Sequence, residues 1–186
     1  IIPARYQSTR FPGKPLCMIA GKTMLSHVID RCQASHASRI IVSTDDVRIA
    51  DQAGKHDVQV SISPAECRSG SERIAYTLAQ IDHKPDDIIV NVQGDEPLIS
   101  AQNINQLAEI LSNTDSAIAS LYQPIKSVTD LSNPNVVKVV TDNQNKAQYF
   151  SRAAIPFAQN ADAILTYLEI FIKLLCSTFR YSLLRC

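Results

Sequence analysis

Apolar positions along the chain change period repeatedly, and each change marks a boundary between strand and helix. Ile1 and Ile2 close a first strand, and Pro3 is expected to stop its pairing. Residues 22–35 place Met24, Leu25, Val28, Ile29 and Cys32 on one helical face. Residues 39–43 form a short continuous apolar run, which predicts a strand covered on both faces. Thr44, Asp45 and Asp46 can cap a helix that runs to Gly54, a C′ glycine by position. A strand follows at 59–62.

Ser69-Gly70-Ser71-Glu72 has the form of a capping box, and Ile74, Ala75, Leu78 and Ile81 continue it as a helix. Residues 87–92 are the strongest strand, broken by Gln93-Gly94-Asp95-Glu96-Pro97. A helix follows with Ile104, Leu107, Ala108 and Leu111 on one side, then a strand at 117–121. Residues 136–141 and 147–150 read as a hairpin across Asp142-Asn143. Strands alternating with helices predict an α/β domain, with a mainly parallel sheet and helices on both faces.

Composition adds limits. The chain has 186 residues, 45% apolar and 19% charged, enough for one sizeable core. A net charge of zero gives no support for binding nucleic acid or anionic membrane through bulk electrostatics, and neither is expected as a partner. Ile1-Ile2 before Pro3 is too short for a signal peptide. An opening inside a strand leads us to expect a few residues upstream. Five scattered cysteines form neither a disulfide framework nor a zinc spacing, so buried reduced thiols in a cytoplasmic protein are expected.

Charge is distributed unevenly. Arg5, Arg10, Lys14 and Lys22 precede the first carboxylate, Asp30. With the hydroxyls of Ser8 and Thr9 and with Gly13, residues 5–14 suit an anion such as a polyphosphate, the alternative being a solvated basic loop. Gln93-Gly94-Asp95-Glu96 also follows a strand, and in such sheets ligands bind beyond the carboxyl ends of strands. Asp95 is placed to hold Mg²⁺, which takes one or two carboxylates together with substrate phosphates; its alternative is a turn or cap residue. G-x-G-x-x-G, the P-loop, G-x-S-x-G and a metal-ligand spacing of histidines are all absent.

Four collinear runs carry a resemblance: IIPARYQSTRFPGKPL at 1–16, NVQGDEP at 91–97, NPNVVKVV at 133–140 and YFSRAAIP at 149–156. They resemble the 3-deoxy-D-manno-octulosonate (Kdo) cytidylyltransferases, or CMP-Kdo synthetases, over residues 1–157. The sister CMP-sialic acid synthetases usually read closer to ARxGSKxxxxKN in the opening loop. The resemblance implies a nucleotide-diphospho-sugar transferase-like, Rossmann-like fold in which CTP and Kdo yield CMP-Kdo for lipopolysaccharide assembly.

It also implies roles by position. Arg5, Arg10 and Lys14 would neutralise the triphosphate, and Asp95 would ligate Mg²⁺. Pro3, Ala4, Ser8, Ser69, Gly70 and Arg73 would complete the CTP site, the strand end and the 69–73 segment facing the cytidine. Gln93 and Arg152 would lie on the sugar side, with Arg152 pairing with the Kdo carboxylate. A homodimer is implied too.

Two departures stand out. Cys67-Arg68 replaces the family's common His-x before Ser-Gly. Beyond Phe157 the motifs cease, and the family's final third, with an Arg-His-x-Gly-x-Tyr sugar-binding strand, a late metal-binding Asp and much of the dimer contact, is not expected here. Residues 158–186 then read as an atypical tail of the 1–157 domain, either frameshifted or an amphipathic partner helix. A CTP-binding remnant without turnover and a CMP-sialic acid synthetase are the alternative functions.

Overall fold

A computed structural model describes residues 1–7, 11–125 and 127–155, and the backbone of Phe171–Arg180. The chain divides into two compact units, Ile1–Ala119 with Leu175–Cys186, and Ser120–Leu174. The division falls inside the stretch read from the sequence as one domain.

In the first unit, β1 (Ile2–Ala4) is followed by a 3₁₀ turn at Lys14–Leu16 and by the small antiparallel pair β2 (Met18–Ile19) and β3 (Lys22–Thr23). Helix α1 (Met24–Gln33) starts two residues later than the apolar spacing implied, because the Thr23 side chain accepts from the Ser26 N–H and sets the cap. Then come β4 (Ile41–Thr44), α2 (Val47–Ala53), β5 (Gln59–Ile62), α3 (Gly70–Ala79), β6 (Ile88–Asn91) and α4 (Ala101–Ser112). Gly54 caps α2 with a helical φ of −63°, so the left-handed freedom of a C′ glycine is not used there.

Register pairs β1 with β4 and β4 with β5, all parallel. On the other side of β1, the Ile1 amino group donates to the Val90 carbonyl at 2.8 Å, and the Val92 and Gly94 N–H groups donate to the carbonyls of Ile1 and Pro3. That ladder adds β6, giving the order β5–β4–β1–β6. The mainly parallel sheet is therefore as expected.

Pro3, however, does not stop the pairing. It lies inside β1 opposite Ser43. In a parallel strand, alternate residues bond to opposite neighbours. Proline's missing N–H removes one bond on the β6 side, while its carbonyl still accepts from Gly94 and the neighbouring residues keep β4.

Helices cover both faces of this sheet. Helix α1 packs against α2 and α4, whereas α3 packs on β1 and β4. Strand alternation explains the division: Ser43 faces α3, where the Thr77 hydroxyl donates to it at 2.6 Å, while Val42 and Thr44 point the opposite way. Leu25, Val28 and Ile29 of α1 are fully buried, each contributing about 1.5–3 kcal/mol by leaving water.

The second unit contains α5 (Val128–Ser132), β8 (Lys138–Thr141) and β9 (Ala147–Ser151), and β7 (Ile118–Pro124) enters it. β8 and β9 form the expected hairpin, joined as expected across the segment from Asp142 to Lys146. Asp142 accepts from the N–H groups of Gln144 and Lys146, and Asn145 takes a positive φ of 59°, which together close the loop.

Strand β10 (Phe171–Arg180) lies where a partner helix was one alternative. In the first unit its residues 177–180 pair antiparallel with β6, and in the second Phe171 and Ile172 pair with Val139 and Lys138. The rest of the 158–186 tail lies outside the described residues. No helix among the described residues is long and apolar enough to cross a membrane.

Candidate active site

The strand ends of β1 and β6 converge closely. A Cβ added at Gly94 would lie 3.1 Å from the Pro3 carbonyl oxygen and 3.1 Å from the Ala4 Cβ, so only glycine lets the two backbones approach without displacement. Helix α3 closes in from the side; a Cβ at Gly70 would meet Pro3 at 3.3 Å. Ser69 caps α3 by accepting from the Glu72 N–H at 3.1 Å. The reciprocal arm of the capping box is displaced by one residue, since Glu72 accepts from the Arg68 N–H at 2.7 Å.

These elements enclose a cavity of about 240 Å³ lined by Pro3, Ala4, Arg5, Cys67, Arg68, Ser69, Gly70, Arg73 and Gln93. Three arginines and no carboxylate line it, beside the N-terminus of a ten-residue helix. Both features favour an anion. Arg5 is exposed, and no hydrogen bond or ion pair engages its guanidinium among the described residues. Gln93 is oriented by donating to the Asn91 side chain at 3.1 Å, and Asn91 is itself buried.

Arg73 behaves differently. It is 3% exposed; Nη2 donates to Asp45 Oδ2 at 2.9 Å, and Nη1 donates to the Ser63 hydroxyl. It forms part of the cavity wall with most of its charge already matched. Sequence spacing missed Asp45 and Ser63, which fix it. Asp45 lies just past a buried strand, and that position is the signal that could have marked it as more than a cap. The cap proper is Asp46, which accepts from the Arg48 N–H.

Asp45 also accepts weakly from the Tyr6 N–H at 3.5 Å. Tyr6 in turn accepts from the Gly13 N–H at 2.8 Å, and the Arg48 guanidinium stacks 3.4 Å over its ring. Gly13 has φ +71°, and a Cβ there would press on the Tyr6 ring at 3.1 Å. Ser8 and Arg10 lie between these anchors, outside the described residues.

Lys14 and Asp95 do not line the cavity. They pair with each other at 2.7 Å, their side chains 38% and 39% exposed, so Lys14 is not the uncompensated cation its segment implied. Asp95 engages Lys14 through Oδ2, and its other oxygen has no partner among the described residues. No cluster of three metal-ligating side chains occurs among the described residues. Arg152 belongs to the second unit, where Nη1 donates to the Pro134 carbonyl at 2.9 Å.

A family model described as Cytidylyltransferase matches residues 1–182. The chain belongs to the cytidylyltransferase family. Among its curated relatives, 3-deoxy-manno-octulosonate cytidylyltransferase of Alcanivorax borkumensis is 51% identical over 88% of this chain and 65% of that protein. The enzyme of the same name from Thioalkalivibrio sulfidiphilus is 47% identical over 89% of this chain and 67% of its own length. The chain spans between 62% and 68% of several such relatives. A solved CMP:2-keto-3-deoxy-manno-octonic acid synthetase complexed with CTP superposes with a TM-score of 0.88 at 31% identity, covering 99% of this chain and 74% of that one. Family membership thus extends beyond the motif-bearing residues 1–157, and a nucleotidyltransferase fold accompanies it.

Proposed function

We propose that this cytidylyltransferase family member joins CTP and Kdo to give CMP-Kdo and pyrophosphate, for lipopolysaccharide assembly in the cytoplasm. The observation that carries the reading is the arginine-lined, carboxylate-free cavity at the β1 and β6 ends, in a chain about half identical to Kdo cytidylyltransferases. The Kdo anomeric oxygen attacks the α-phosphorus of CTP, the bond to the β-phosphate oxygen breaks, and pyrophosphate leaves. Such a transfer depends chiefly on alignment and on neutralising charge that grows on the leaving group.

Arg5, Arg10 and Lys14 supply that neutralisation in this proposal. The β1 backbone at Pro3 and Ala4 faces the cytidine with Ser8, Ser69 and Gly70, and Arg73 holds the wall through Asp45. Gln93 and Arg152 serve the sugar acid. Asp95 fits Mg²⁺ as a single carboxylate ligand with one oxygen uncommitted, and phosphate and water oxygens would complete the coordination. When bound, the ion offsets phosphate charge and lowers the pKa of the attacking hydroxyl. Lys14 keeps the Asp95 carboxylate matched when neither ion nor nucleotide is present. A homodimer belongs to the same proposal, and analytical ultracentrifugation checks it.

Pyrophosphate release from CTP, Mg²⁺ and either Kdo or sialic acid tests the reaction. Release with Kdo is expected to exceed release with sialic acid, and Asp95→Ala is expected to lower it by about 100-fold or more. Unchanged release from the variant would overturn the role given to Asp95. Calorimetric CTP binding without turnover at saturating Kdo would instead favour the remnant reading.

A further inference from the structure

Lys138 is fully buried, yet among the described residues no carboxylate meets it. Its ammonium donates to three backbone carbonyls: those of Asn133 at 3.0 Å and Val136 at 2.8 Å, and that of Arg152 itself. Three donors meet three acceptors, so the hydrogen bonds of the charged form are satisfied. Among the described residues the charge remains unmatched, which is costly for a buried cation. Arg152 grips the same 133–136 turn through Pro134, its remaining donors have no partner among the described residues, and its side chain is exposed. Two neighbouring cations thus share one turn, and among the described residues only carbonyl dipoles offset them. Burial first, then repulsion from Arg152, lowers the pKa of Lys138 from its ordinary 10.5.

We propose that Lys138 is a positioning residue for an acid-binding site at Arg152: it fixes the backbone that presents the guanidinium, and it adds a second positive charge felt by a carboxylate bound there. The inference rests on the reading of Arg152 as a sugar-acid contact and goes beyond it by assigning a buried partner. A carboxylate ligand supplies the missing countercharge. Arg152 touches it directly, and Lys138 acts from behind through the chain and the field.

Calorimetric Kd values for Kdo and for CTP, measured on the full chain, test this. Lys138→Met is expected to weaken Kdo binding roughly tenfold while leaving CTP binding within about twofold. In an Arg152→Ala background the Lys138 effect is expected to vanish, because the two residues act as one unit. Lys138→Gln, which retains amide donors but loses the charge, is expected to fall between wild type and Lys138→Met. In the unsubstituted protein, the Lys138 Nζ resonance of a ¹⁵N-lysine-labelled sample is expected to shift on adding Kdo and not on adding CTP, so the test does not depend on how any variant folds. Additive losses, equal losses for both ligands, or an Nζ signal indifferent to Kdo would each overturn the proposal. If Arg152→Ala weakens Kdo and Lys138→Met does not, the positioning role fails alone. If Arg152→Ala leaves Kdo affinity unchanged, the sugar-acid reading fails, and this proposal with it.

Discussion

Arg73 is tolerated in the interior because Asp45 and Ser63 meet its guanidinium. Removing one partner of a buried pair strands the other charge. Arg73→Leu is therefore expected to destabilise the fold by about 3–5 kcal/mol, read as a lower midpoint in chemical denaturation. A residue that only touched ligand would lose affinity and keep its stability. The contrast with Arg5 shows what a sequence can and cannot convey. Both are arginines near polar turns, but one ends a strand in solvent and the other points down from a helix onto a carboxylate 28 positions away. Charge and local motif identified both as candidates; partners so distant in sequence divided them into an open contact and a strut. Lys14 shows the same effect, since the carboxylate that matches it lies 81 positions downstream.

Helices were the most legible elements because their signals are local. Thr23, Asp46, Ser69 and Ser100 each accept a hydrogen bond from the first turn they precede. Strand pairing was less legible, and Pro3 shows why: whether a missing N–H matters depends on which neighbour that side of the strand faces. The β8–β9 hairpin was legible from its two flanking runs, whereas the bonds by which Asp142 holds the loop between them were not. Those bonds, from Lys146 first and then Gln144, keep the Asp142 carboxyl below its usual 3.8. The folded pKa lies under the unfolded one, so the loop's stabilisation is present above pH 3.8 and is lost as pH falls through the lower folded value. Amide exchange at Gln144 and Lys146 is expected to accelerate across that acid range, and Asp142→Ala is expected to show the same fast exchange at neutral pH.

For the molecule as a whole, the family and the mainly parallel sheet with helices on both faces followed from motifs and periodicity, whereas the division at Ala119 did not, since no glycine- or proline-rich linker marks it. The described cysteines are free, but they are not uniformly buried as expected. Cys32 is 5% exposed, and burial raises its pKa to about 11, so it is nearly inert at neutral pH. Cys17 and Cys67 are half-buried, and only Cys67 lines the cavity. Thiol labelling is expected to modify Cys17 and Cys67 well before Cys32. Added CTP is expected to slow Cys67 and spare Cys17; equal protection of both would argue against the cavity as the nucleotide site.

The Tyr6–Gly13 hydrogen bond has a consequence for how this protein could be re-engineered. It joins Tyr6 to Gly13, and Asp45 and Arg48 both engage Tyr6. Changing the length of a chain segment whose ends are already joined costs little entropy, about 0.6 kcal/mol per doubling. The anchors at Tyr6 and Gly13 are thus held independently of what joins them, so a change of length or sequence between them is expected to leave both in place.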